Sequence, residues 1–380
     1  MHIEQRCWTE AAGWTVTRAP GDSMPPAQLV LFFGAREALT RPAVLDTLRS
    51  DYPAAQLLGC STAGEICETT VADGSIVATA IHFDSTRVRT ACHTLAAAGD
   101  SRSVGERLAR DLVGDGLVHV FVLAEGLQVN GSDLVEGMRR GLPADVGVTG
   151  GLAGDGARFE HTMVSYGDQL TEGAVAAVGF YGDRLRIGYG SLGGWDSFGP
   201  DRLITRAEAN VLYELDGESA LELYKTYLGP HAAELPASGL LFPLSLRGGN
   251  GEQRVVRTIL GIDEQAGSLT FAGDIPQGGH AQLMKANVDR LIDGAHGAAT
   301  ACYERVGSAT PDLAILISCV GRKLVLKMRT EEEVESVREV LGDATVLSGF
   351  YSYGEIAPFA VSGKCELHNQ TMTITTFAER

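Results

Sequence analysis

The 380-residue chain has no apolar run approaching the roughly 20 residues that a bilayer-crossing helix needs. Its start, MHIEQRCWTEAAGW, lacks the basic stretch and apolar core of a leader. The expectation is a soluble, cytoplasmic protein that does not insert into membranes. Basic residues are scarce: 31 Lys and Arg face 48 Asp and Glu, and a formal charge of −17 repels phosphate-rich polymers, so nucleic acid is not an expected partner. Cysteine is sparse too. Cys7, Cys60, Cys67, Cys92, Cys302, Cys319 and Cys365 are odd in number and scattered, with no C-x-x-C pair; that disfavours zinc and dithiol readings and fits reduced thiols. The histidines form no H-E-x-x-H, and no C-x-x-C-H is present.

What is present is a core-forming composition, 44% hydrophobic, enough for two or three domains, and a unit that recurs three times. The first copy runs from LVLFF (29–33) through a helix with Thr40 as cap, Pro42 in the first turn and Pro53 as stop, to QLLGCSTAGEI. The second runs from LVHVFVL (117–123) through DLVEGMRRGLP, capped by Ser132 and stopped by Gly141 and Pro143, to VGVTGGLAGDG. The third runs from LAILISC (313–319) through TEEEVESVREVLG to TVLSGFYSYGEI. Here Thr330 and Glu333 have capping-box spacing and Gly342 marks the end. Apolar strands around helices of this length predict βαβ crossovers. After each copy comes an alternating segment that reads as antiparallel: 75–83, 174–182 and 371–377. The fold class is therefore α/β (or α+β), with mixed, largely parallel sheets covered by helices. A helix from about Ser219, stopped by Gly229 and Pro230, marks a joint at 218–230, and RGGNGEQ (247–253) reads as a hairpin tip.

Each copy closes on glycine and an acid: Gly64-Glu65, Gly154-Asp155, Gly354-Glu355. Glycines just past strand ends let backbone approach a ligand, and crevices at strand carboxyl ends are where α/β sheets bind small molecules. The ligand-binding expectation falls on Cys60, Ser61, Thr62, Gly64 and Glu65 in copy one, and on Gly150, Gly151, Gly154 and Asp155 in copy two. In copy three it falls on Tyr351, Ser352, Tyr353 and Glu355. The ordinary alternative is that each acid caps its own turn. A nucleophile at Cys60 or Ser61 would make the chain an enzyme, but G-x-S-x-x-G is not the elbow spacing, and Phe350 and Tyr351 replace Cys60 and Ser61 in copy three. GGLAGDG lacks the Gly-Lys-Ser/Thr ending of a phosphate loop. The expectation is no catalysis. His82 and His119 fall inside strands as core histidines. His280 opens a predicted helix that places it about 24 Å from His296 at 1.5 Å per residue, too far to share a metal ion. In GGWDSFGP, Trp195 or Phe198 lines a pocket or packs a loop.

With LLGCSTAGEI, GGLAGDG, GGWDSFGPDRLITRAEANVLYELDGESALELYKTYLG, FAGDIPQG, GFYSYGEIAP and LHNQTMTI in view, the chain from about 25 to 377 resembles the FIST family of bacterial sensory proteins. The resemblance implies an N-terminal FIST domain (25–218) and a C-terminal one (219–378) that sense a small molecule. It also implies a separate partner, such as a histidine kinase or a cyclic-di-GMP enzyme, because no kinase, methyl-accepting or cyclase segment is present. Among stand-alone members the chain is similar to haem-binding nitric oxide sensors. That implies non-covalent haem b, with His368 and His161 nominated as axial ligands. An amino acid or other small metabolite is the rival ligand.

Overall fold

The computed structural model describes residues 1–380 apart from 21–23, 168, 236, 249–253, 308 and 359–362. The three copies appear as three units. Each is centred on one parallel pair: Leu29–Gly34 with Gln56–Ser61, Leu117–Ala124 with Gly147–Leu152, and Leu313–Cys319 with Val346–Ser352. The pairs are joined by the helices Pro42–Asp51, Gly131–Gly141 and Thr330–Leu341. The alternating segments become Ile76–His82, Ala174–Tyr181 and Met372–Glu379, each antiparallel to the first strand of its unit. Among the described residues the other strand pairs are antiparallel.

The closing corner sends the chain out of its own sheet. The hairpin Glu65–Cys67/Thr70–Ala72 adds to Val346–Ser352 of unit three. The hairpin Val164–Tyr166/Gln169–Thr171 adds to Gln56–Ser61 of unit one, and Gly354–Pro358/Cys365–His368 adds to Gly147–Leu152 of unit two. Each unit thus covers the open edge of another, which would otherwise present unpaired backbone. The corners touch in a closed ring. Ala63 N donates to Tyr351 O (2.8 Å), Gly154 N to Ser61 O (2.9 Å) and Tyr353 N to Leu152 O (3.2 Å). One core joins the sheets, with Phe33 and Leu58 from unit one, Phe121 and Phe180 from unit two, and Ile315, Phe350 and Phe377 from unit three. Phe33 and Phe350 pack at 4.7 Å between ring centroids.

A fourth, antiparallel sheet lies between units two and three in sequence, from Asp196–Glu208 to His280–Lys285, with its own core around Ile204, Leu221, Tyr224 and Phe271. The joint expected at 218–230 falls here: Ser219 caps the helix Ala220–Leu228, and Gly229 ends it. Among the described residues, three of the four sheets take strands from both sides of that joint. The strands Leu244–Arg247 and Val255–Arg257 do form a hairpin, and residues 249–253 of the expected tip lie outside the described residues. His280 begins a strand, not a helix; the following helix is Val288–Arg305, and it carries His296. Three cap expectations are corrected. Thr40 bonds Glu37 O instead of a helix amide, and Asn130, not Ser132, caps the second crossover helix. Thr330 and Glu333 make no box, since Thr330 donates to Lys327 O and Glu333 is drawn into the core.

Candidate functional site

Glu65 and Glu355 occupy matching turns. Glu65 Oε2 accepts from Ser75 N (3.0 Å) and Ser75 Oγ (2.7 Å), and Oε1 accepts from Thr62 Oγ1. Glu355 Oε1 accepts from Ser352 Oγ (2.7 Å), and Oε2 from Thr371 N (3.2 Å) and Oγ1 (2.9 Å). Burial pushes Glu65 up to about 7 and Glu355 up to about 8, against the hydroxyl and amide donors that favour the charged forms. Asp155 differs. Gly154 N meets Ser61 O as Ala63 N meets Tyr351 O, so Asp155 stands at the Gly64 position, one residue short of Glu65. Its carboxylate accepts from the N–H groups of Phe159 (2.9 Å), Glu160 (3.0 Å) and His161 (2.9 Å) and from the Tyr353 hydroxyl. Burial works to raise it, but these donors outweigh burial and hold it below the usual carboxylate range. Each corner acid therefore braces a turn.

A cleft of about 620 Å³ opens where three strands end: past Gly34 at Ala35 and Glu37, past Ser61 at Thr62 to Glu65, and past Cys319 at Val320 and Lys323. Asp73, Arg158, Lys327 and Thr330 complete its polar wall. Lys323, on the short helix Val320–Leu326, sends Nζ to Ala63 O (2.9 Å) and to Asp73, and the ammonium lies 5.5 Å from the centre of the Tyr351 ring. Gly64 has φ +138, and a Cβ there would strike the Lys323 amine, so only glycine suits both the backbone and the approach. Arg158 pairs with Glu37 (2.9 Å) across the same opening. Beneath, Arg322 is fully buried. It binds Glu333 Oε2 through Nε (3.0 Å) and Nη2 (2.7 Å) and reaches the carbonyls of Gly193 and Leu291, while Ser318 (3.0 Å) and Tyr351 (2.5 Å) fill Glu333 Oε1. That network anchors the helix carrying Lys323.

A second cavity, about 240 Å³, repeats the arrangement between Tyr353 of corner three and residues 126–131 past the first strand of unit two. It is mostly apolar, with Phe159 stacked on Tyr353 at 4.3 Å and Leu260 and Phe271 entering from the fourth sheet.

Of the expected site residues, the structure brings Thr62, Gly64 and Glu65 to the large cleft and Tyr353 to the small one. Cys60 is buried and burial raises its thiol far above normal; Ser61 is buried and its Oγ accepts from Met163 N (2.9 Å). Gly150 and Gly151 sit in a strand packed on Val122 and Ile317, and Gly154 packs on Ala63. Tyr351, Ser352 and Glu355 are interior. His368 is buried with Nε2 on Ala357 O (2.9 Å), and burial lowers it to about 4. His161 is half exposed with Nδ1 3.1 Å from Glu172. Neither histidine lines either cavity, so the nominated residues do not fit a haem iron. Among the described residues no group of three or more His, Cys, Asp or Glu is placed to hold a metal. His119 bonds Thr149 (2.8 Å) inside the core, and Trp195 and Phe198 pack against Gln370 and Phe242. Sequence reasoning passed over Lys323, Asp73 and Arg158. The available signal was their position just beyond strands or corners of the repeat.

The FIST N domain matches residues 28–218 and the FIST C domain residues 220–358. No curated protein matches the chain. Among solved structures, a cyanuric acid hydrolase from A. caulinodans is 9% identical over 100% of this chain and 99% of that one, with a TM-score of 0.36. FIST domains are sensory domains of signal-transduction proteins and bind small ligands. Among the described residues no helix is long and apolar enough to cross a membrane.

Proposed function

The chain belongs to the FIST family, and from that premise we propose that it senses a small zwitterion of the amino-acid class in the large cleft and relays the signal to a separate protein such as a histidine kinase or a cyclic-di-GMP enzyme. The reading rests on one observation: an ammonium (Lys323) and a carboxylate (Asp73) meet above a glycine corner at the carboxyl ends of parallel strands. A ligand carboxylate would draw on Lys323, Lys327 and Arg158, and a ligand ammonium on Asp73 and Glu37. Binding that replaces the Lys323–Asp73 contact would shift the short helix against corner one, the kind of differential contact that moves a population. Catalysis is not part of this reading, since Cys60 and Ser61 are sealed from the cleft.

The test is thermal unfolding of the full chain against a panel of free amino acids. A ligand at 100 times its Kd adds about 2.7 kcal/mol. Lys323→Gln, with unchanged circular dichroism, should weaken binding about 10- to 100-fold, as loss of a charge-assisted bond does. A Soret band that moves with nitric oxide in haem-loaded protein, together with no stabilisation by any amino acid, would overturn the reading in favour of haem.

A further inference from the structure

Two partly exposed thiols, Cys7 and Cys67, lie where the sheets of units one and three meet. Cys7 is two residues past Gln5 on strand His2–Thr9, which pairs without a break with Ile76–His82, so both side chains share one face. That face looks toward unit three: Gln5 Nε2 donates to Leu347 O (2.8 Å), and the neighbouring Thr79 bonds Ser348 (2.9 Å). Cys67 ends the exchanged strand Glu65–Cys67, with Sγ 3.3 Å from Gln5 Oε1 and 3.5 Å from Thr17 Oγ1, at the rim of the central core. Glu65, on the same face of that strand, holds Ser75, which precedes the Ile76 that pairs with Trp8, so the exchanged strand runs past Cys7 between its contacts with Gln5 and Ser75.

We propose that Cys7 and Cys67 are a peroxide-responsive pair that closes into a disulfide, tying the first strand of the chain to the exchanged strand of corner one. The Cys7 thiolate attacks one oxygen of hydrogen peroxide, the O–O bond breaks, and hydroxide leaves to take up the proton that Cys7 released, giving water and a Cys7 sulfenic acid. The Cys67 sulfur then attacks the Cys7 sulfur. The S–S bond forms, the S–O bond breaks, and the second water leaves with the Cys67 proton. Two thiols lose two electrons and two protons, and the peroxide is reduced to two waters. The neighbouring Cys67 thiol favours the Cys7 thiolate, with Ser75 assisting and burial and Glu65 opposing, whereas Cys67 keeps its proton. Cys67 lies two residues beyond Glu65, and Ser75 holds Glu65 Oε2, so closure pulls on the turn that lines the large cleft.

The experiment treats the reduced full chain with hydrogen peroxide, counts thiols after unfolding, and maps peptides without reductant. Cleavage after Glu65 separates Cys67 from Cys60. The expected result is loss of two of the seven thiols, a linked Cys7–Cys67 peptide pair lighter by two hydrogens, and recovery with dithiothreitol. In Cys67→Ser the link disappears and Cys7 is trapped as a sulfenic acid by dimedone; in Cys92→Ser the link persists. The proposal is overturned if Cys7 and Cys67 stay reduced while another cysteine oxidises, or if either links only to a different cysteine. The mapping requires no ligand, so its failure would leave the cleft reading standing.

Discussion

Gly64 and Lys323 define the large cleft at the level of single residues. Gly64→Ala combines a strained φ with displacement of the Lys323 amine, so it should cost about 1–3 kcal/mol and lower affinity at the cleft. Urea unfolding and calorimetry check the two effects separately. The buried acids make a pH prediction. Burial holds Glu65 and Glu355 protonated up to about 7 and about 8, whereas the same groups in the unfolded chain ionise near 4.5. Between those values the folded state binds more protons, so their contribution is complete below about pH 4.5 and is lost as pH rises through 7 and 8. Glu379 runs the other way. Burial opposes it, but amides of residues 84–86 with the Ser85 and Thr86 hydroxyls hold it at about 2, and its contribution is lost as pH falls below 4.5. The fall in stability from pH 5 to 8 should therefore be shallower in Glu65→Gln/Glu355→Gln than in wild type; equal slopes would reject it. The Gly-Glu endings were legible in sequence. What surrounds each acid was not, because Ser75 and Thr371 lie 10 and 16 residues away along the chain.

All three parallel pairs and their crossover helices appear where the sequence placed them, and Gly229 and Gly342 end their helices, but the expected N-terminal caps Thr40, Ser132 and Thr330 do not hold and His280 opens a strand. A Ser/Thr-x-x-Glu pattern reports what a side chain is able to bond, whereas the fold decides what lies nearest. Asn130 accepts from the amides of Ser132 and Asp133, so Asn130→Ala should cost about 1 kcal/mol, and Ser132→Ala, whose buried hydroxyl has no partner, next to nothing. Denaturant midpoints of the two variants discriminate the assignments. Glu333 has capping-box spacing in the sequence and instead neutralises Arg322 in the interior. Glu333→Ala leaves a buried guanidinium unpaired and should cost about 3–5 kcal/mol, with faster proteolysis around the helix that carries Lys323.

For the whole molecule, the exchange of hairpins is decisive. Among the described residues three of the four sheets draw strands from both sides of residue 218, so the fragment 1–218 lacks the later partners of Glu65–Cys67, Gly147–Leu152, Leu185–Leu192 and Asp196–Glu208. Produced alone, it should show weak, protease-sensitive structure, while co-production with 219–380 should restore the native circular dichroism. Phe350→Ala, which removes a ring shared by the central core, should cost about 3–5 kcal/mol and lower the unfolding midpoint of all three units together. Local alternation, strand and helix periods, and glycine-acid closures are written in neighbouring residues, so the amino-acid sequence alone determined the repeated unit, its count and the corners. Which sheet receives each hairpin, and that Lys323, Asp73 and Arg158 converge on corner one, were decided only by the tertiary structure. Edge pairing and burial act between segments far apart in the chain, and no short stretch of sequence carries them.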